Sequence, residues 1–200
     1  MSASSAAGRF FRTYERHCIK AGPDTLFEVL NAIHSLNDRL KGSVGRDLHQ
    51  IEEFIALKAL RNFAHHQEEV QANVKVVPSP AYSDLMVLCI VRREQVERSI
   101  EVTDERWRQT TQAACQRKFH WYGIAVNINP CLFNFAVRAY EMMREASVII
   151  PAEDIAAFAS SYDFEAVRGY THLVNGQLNM HSADAAAVLS AIVADLPLPR

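Results

Sequence analysis

The sequence predicts an all-α fold, a helical bundle with one small irregular or β insertion. Three observations carry this. Apolar residues recur at helical spacing through most of the 200 residues. Gly-Pro, Gly and Asn-Pro signals stop or start the periodic stretches. Only residues 73–77 and 119–128 are rich in β-branched or aromatic residues without that period. A composition of 49% hydrophobic and 22% charged residues supplies the core of one domain. We expect a single helical domain over 1–200, with a core bundle at about 9–100 and a helical elaboration at about 101–196.

Residues 1–8 lack an apolar run and read as a frayed tail, not a signal peptide. Residues 9–21 give the first helix, with Phe10, Tyr14, His17 and Ala21 on one face, stopped by Gly22-Pro23. Asp24 can cap a second helix to about 41, striped by Leu26, Leu30, Ile33 and Leu40 and ended by Gly42. His34, beside Ile33, reads as a boundary residue. A third helix is expected over about 46–69, with Asp47 and Gln50 at capping-box spacing. Leu48, Ile51, Ile55 and Ala59 share one face, which Asn62 and His66 continue. Short connections between the three helices suggest antiparallel packing.

Residues 73–77 alternate weakly, as a short strand or extended loop, before Pro78-Ser79-Pro80. Ser83-Asp84 then predicts a cap and a fourth helix over 84–99, whose mixed charges read as a solvated face. Residues 103–118 read as a polar helix. Residues 119–128 read as a strand or a buried loop. Asn129-Pro130 starts a helix to about 146, Pro151 opens a short one, and Asn175-Gly176 marks a tight turn that could belong to a small hairpin. Ser182 caps a last Ala-rich helix, and Leu-Pro-Leu-Pro-Arg forms a tail.

The net charge is −2, which excludes a global basic surface for bulk nucleic acid, so any RNA contact needs a local cationic cleft. Cys18, Cys89, Cys115 and Cys131 form no CxxC pair, so no metal site and no cofactor is expected, and a reduced intracellular setting is the simplest. No apolar run reaches the about 18–20 residues of a membrane span. A cytoplasmic protein with no membrane partner is expected. Phosphate-loop, dinucleotide-fold, nucleophile-elbow and HExxH patterns are all missing.

The densest chemistry lies in residues 57–68, where Arg61, Asn62, His65 and His66 stand together at the end of the longest helical pattern. An arginine can grip two phosphate oxygens, and a histidine can move a proton at neutral pH. A second group, Lys118, His120, Trp121 and Tyr122, could stack an RNA base or simply pack. Locally, Arg61 could instead pair with Glu28 or Glu53, and the histidines could complement a helix dipole.

Arg61-Asn62-Phe63-Ala64-His65-His66, preceded by an apolar helix, resembles the Arg-Asn-x-x-x-His signature of the HEPN superfamily. The resemblance covers residues 61–66 and, more loosely, the helices of about 9–100. It implies a helical bundle that forms a homodimer through the motif. It also implies a metal-independent ribonuclease of toxin–antitoxin or defence type, yielding a 2′,3′-cyclic phosphate. Arg61 would bind the scissile phosphate, Asn62 would orient its neighbours, and His66, or else His65, would move the proton. An antitoxin or regulatory protein could be a partner. Some members are instead non-catalytic RNA- or protein-interaction modules. Gln67-Glu68-Glu69 follows the motif, and the two acids are expected to repel a phosphate placed beside them.

Overall fold

Small residues at the start of the chain let two helices approach closely. A computed structural model describes residues 2–78, 85–176 and 182–194. Helix α1 (Ala3–Ile19) begins at a Ser2 cap, whose hydroxyl accepts from the Ser5 backbone N–H. The supposed frayed tail is therefore helical, and Ala3, Ala6, Ala7 and Gly8 are buried. A periodicity test that looks for bulky side chains does not detect a face of alanines and glycine. Helix α2 (Pro23–Val44) packs along α1. Its N-cap is Gly22, not Asp24, and Thr25 reaches back to accept from the Gly22 N–H at 2.9 Å. Gly42 is helical; the stop is Gly45, at φ 66°, a conformation that favours glycine.

The expected third helix divides into two elements. Asp47 caps a 3-10 turn at Leu48–Gln50, and α3 (Glu52–His66) follows. Asn37 Oδ1 accepts from Leu48 N at 2.8 Å and ties that turn to α2. The buried face of α3 is Glu53, Phe54, Ala56, Leu57, Ala59, Leu60 and Phe63, whereas Ile55 and Asn62 are half-buried and His66 is exposed. The core face is thus turned away from the expected stripe, and the polar end of α3 lies beside the core.

Strand β1 (Ala72–Pro78) pairs antiparallel with β2 (Leu85–Arg92). A helix expected over 84–99 is replaced by β2 and then α4 (Arg93–Glu101). Leu88, Cys89, Ile90 and Val91 are all buried, so β2 is covered on both faces and carries no alternation. A continuous apolar run of this kind is ambiguous between helix and strand. Helix α5 (Glu105–Lys118) leads to the hairpin β3 (His120–Tyr122) and β4 (Ala125–Asn127), turning at Gly123 with φ 60°. The sheet order is β1-β2-β4-β3. Asn127 Oδ1 accepts from Cys89 N and Asn129 N at 3.0 and 3.1 Å, fixing the sheet to the start of α6 (Asn129–Glu145).

Pro151 does precede a helix, but α7 (Ala152–Arg168) is long, ends at Gly169 with φ 68°, and packs on α1. Helix α8 (Ser182–Val193) covers the outer face of the sheet, with Val188 and Ile192 against Leu88, Ile90 and Ala125. The main core runs continuously from Ala3 of α1 to Ile155 of α7. The result is an all-α bundle with a small four-stranded β insertion. Gly176 has φ 66°, as a tight turn requires. The Ser83-Asp84 cap, any hairpin strand after Gly176 and the Leu-Pro tail lie outside the described residues.

Candidate functional site

Arg61 projects from α3 toward α2 and is held by amides, not acids. Its Nε donates to Asn31 Oδ1 at 3.2 Å, and its Nη1 donates to Asn62 Oδ1 at 3.3 Å. Glu28 pairs with Arg16 at 3.0 Å, and Glu53 pairs with Lys118 at 3.0 Å and Arg138 at 3.4 Å. Neither acid therefore reaches Arg61, and among the described residues no carboxylate pairs with it. A half-buried guanidinium oriented by neutral oxygens keeps its charge available to an anion.

His34 lies one turn beyond Asn31 on the same helix. It is half-buried, and its buried Nδ1 meets no hydrogen-bond partner among the described residues. Burial lowers its pKa, Arg61 and Lys58 lower it further, and Asp38 partly opposes them. Lys58, one turn before Arg61, donates to His49 Nε2 at 2.9 Å, and His49 Nδ1 in turn meets Asp47 Oδ1 at 2.6 Å. Burial opposes ionisation of Asp47, but hydrogen bonds from His49 and Lys41 outweigh it and hold the carboxyl well below the usual range.

His65 and His66 are both exposed in the last turn of α3, where a cation complements the helix dipole. Their rings meet edge to face with centroids 4.7 Å apart. Lys58, Arg61 and His65 thus form a basic strip along α3, opposite Asn31 and His34 of α2. The antiparallel pairing that sets Asn31 against Arg61 brings Phe27, 40% exposed, level with His65. Of the two acids that follow the motif, Glu68 is engaged by α4, while Glu69 is exposed and, among the described residues, only its backbone carbonyl accepts, from Gln95 Nε2 at 3.0 Å. Glu68 accepts from Gln95 Nε2 at 3.2 Å and from Arg98 Nη1 at 3.0 Å, both on α4.

The second expected group is not brought to this strip. Lys118 stands at the start of α3, bound to Glu53 at 3.0 Å and Glu52 at 3.4 Å. Glu53 and Arg61 are eight residues apart on α3, about 12 Å along the axis. The charged cleft there, about 420 Å³, is lined by four acids (Glu52, Glu53, Glu141 and Glu145) and two bases (Lys118 and Arg138), a poor sign for phosphate. Trp121 Nε1 donates to Cys115 O at 3.3 Å, and Arg93 covers its ring at 5.6 Å. Tyr122 packs on the cluster of β2, β4 and α8. Burial lowers the His120 pKa, and its hydrogen bond to the Asn175 backbone opposes this.

Sequence reading passed over Asn31 and His34 as members of the site. A signal for them exists. In an antiparallel helix pair, positions about equidistant from the connection face each other, and residues 31 and 61 satisfy this for a turn near 46. Among the described residues no group of three His, Cys, Asp or Glu side chains is placed to hold a metal ion. No helix among them is long and apolar enough to cross a membrane. Comparison of the chain with protein-family models, curated proteins and solved structures gives no match.

Proposed function

We propose that this chain is a HEPN-like, metal-independent endoribonuclease of toxin or defence type, acting as a homodimer and leaving a 2′,3′-cyclic phosphate. The observation that carries the reading is the Arg61 guanidinium, oriented by Asn31 and Asn62 and paired with no carboxylate among the described residues. Phosphate charge builds up in the transition state, and a preorganised guanidinium stabilises it without reorganising. A neutral imidazole takes the 2′-OH proton as that oxygen attacks phosphorus. An imidazolium returns a proton to the departing 5′ oxygen. His65 and His66 are the candidates for these transfers. A two-fold pairing through the α2–α3 face would bring two basic strips into one cleft. Phe27 offers a ring on which a flanking base can stack. An antitoxin or regulatory protein covering this face would silence it.

The test is cleavage of a mixed RNA pool in EDTA by wild type, Arg61→Ala, His65→Ala and His66→Ala, with light scattering on the same samples. Wild type is expected to cut as a dimer and to leave cyclic phosphate ends. Arg61→Ala is expected to lose about 10²–10³ in rate while remaining folded. Cleavage that EDTA abolishes, or that all variants retain equally, overturns the reading.

A second reading, a non-catalytic RNA-binding module, is favoured by one feature. Neither His65 nor His66 shows an orienting hydrogen bond among the described residues. It predicts RNA binding that Arg61→Ala weakens and His66→Ala leaves intact, with no cleavage by any sample.

A further inference from the structure

On the side of the bundle formed by α1, α6 and α7, a pocket of about 320 Å³ opens between the helices. Its walls are largely aromatic: Phe11 and Tyr14 of α1, Phe133 of α6, and Phe158 and Tyr162 of α7. Phe11 and Phe158 lie 5.0 Å apart between centroids, and Tyr14 and Phe158 lie 6.3 Å apart nearly perpendicular, so ring edges and faces both line the space. The volume is near the lower end of small-molecule sites, about 300–1,000 Å³.

The ionisable side chains of the lining share one sign. Glu15, Asp154 and Glu165 contribute carboxylates, and no lysine, arginine or histidine lines the pocket. Arg12 engages Asp154 at 2.5 Å, and His172 meets Glu165 at 2.8 Å. Glu15 is exposed and joins no ion pair among the described residues. The rings of this corner already accept a cation. The Arg144 guanidinium stands 5.5 Å from the centre of Tyr140 and 5.8 Å from that of Tyr162.

We propose that this pocket binds a small organic cation, an alkyl or aromatic amine or a quaternary ammonium compound, with its apolar body among Phe11, Phe133 and Phe158 and its charge facing Tyr14 and Glu15. Aromatic faces attract a desolvated cation through their quadrupole, and Glu15, the lining carboxylate that no cation among the described residues engages, adds a field of the same preference. An apolar acid of the same size meets Glu15 as a like charge. The site is independent of Arg61 and of the ribonuclease reading.

The experiment compares choline with its uncharged carbon isostere and with the matching carboxylate, by NMR titration of the full-length protein. Saturable shifts are expected for choline at Ala157 and Ser161, with affinity at least about tenfold above the isostere, and none for the carboxylate. Glu15→Gln is expected to narrow the gap between choline and the isostere. Ser161→Trp, at an exposed position on the pocket's edge, is expected to fill the mouth and abolish binding without unfolding the chain. Arg61→Ala is expected to leave the titration unchanged. Equal binding of the isostere, no saturable shift with any probe, or undiminished choline binding by folded Ser161→Trp overturns the proposal.

Discussion

Replacing Gly8 by alanine sets helix propensity against packing, and the structure decides the sign. In the interior of α1, alanine is favoured over glycine by about 1 kcal/mol. A Cβ at position 8, however, would overlap the carboxylate of Asp154 on α7. Asp154 is 6% exposed, sits in the first turn of α7, and holds Arg12 Nη1 at 2.5 Å. Displacing it weakens a charged hydrogen bond worth about 1.5–3 kcal/mol. Arg12 is 54% exposed, so solvent screening puts that loss at the low end. Pushing α7 off α1 adds a packing cost of about 1–3 kcal/mol. Gly8→Ala is therefore expected to destabilise by about 1–3 kcal/mol net of its propensity gain.

Urea unfolding followed by circular dichroism measures this, and a double-mutant cycle isolates the cause. With Asp154→Ala in place, the obstructing carboxylate is gone, so Gly8→Ala is expected to become neutral or stabilising by up to about 1 kcal/mol. The coupling between the two sites is then about 2 kcal/mol. A Gly8→Ala protein as stable as wild type would refute the close approach of α1 and α7. So would an equal destabilisation in both backgrounds.

Three further outcomes follow from named contacts. His17 is 3% exposed with Nδ1 2.9 Å from Thr25 Oγ1, and burial lowers its pKa from 6.5. The unfolded chain then binds the proton more readily, so this stability is full above about pH 6.5 and falls as the pH drops toward the lower folded value. Wild type should lose stability on going below that pH more steeply than His17→Gln; parallel pH profiles would remove His17 as the cause. Asn127→Ala leaves the buried Cys89 N–H without its acceptor and frees the Asn129 N–H, and is expected to cost about 2–3 kcal/mol in urea unfolding. Glu53→Gln removes the charge between Lys118 and Arg138. It is expected to cost about 2 kcal/mol, less than a fully buried pair, because both cations reach solvent; an unchanged midpoint would show that Glu53 is not needed to balance them.

Much of the helical architecture was legible because it depends on local rules. Asn129-Pro130 starts α6, and the 3.6-residue pattern of Leu132, Phe135, Ala136 and Met143 places its buried face. Strand β2 was not legible for a tertiary reason. Leu88, Cys89, Ile90 and Val91 are buried on both sides only because α8, nearly a hundred residues later, covers the outer face. Alternation vanishes when both faces of a strand are dry. The start of α1 escaped for the opposite reason, since Ala6, Ala7 and Gly8 are buried by closeness and not by size. In the candidate site, Arg61 and Asn62 stood out as residue types, whereas Asn31 and His34 could be found only by pairing α2 with α3 across their turn. Their roles come from a neighbouring helix, which a linear motif does not record.

The two ends of α3 carry opposite charge, and only part of that follows from the helix dipole. Glu52 and Glu53 in the first turn and His65 and His66 in the last are placed as the dipole favours. The acidic end is closed, because Arg117, Lys118 and Arg138 neutralise it. Lys58 and Arg61 lie one to two turns inside the helix, beyond the reach of a terminal dipole effect, and the partners that α2 and the preceding turn supply are an amide and an imidazole. If the role of this strip is to hold phosphates, RNA affinity must fall with salt through counterion release. Each phosphate contact on a single strand contributes a slope of about −0.7 in log affinity against log salt. Arg61→Ala and Lys58→Ala are each expected to flatten the slope by about that amount, whereas Arg106→Ala, on α5 where the arginine pairs with Asp104 at 2.9 Å, is expected to leave it unchanged. A slope that Arg61→Ala does not alter would place the phosphates elsewhere, whatever happens to cleavage, because counterion release counts contacts and not turnover.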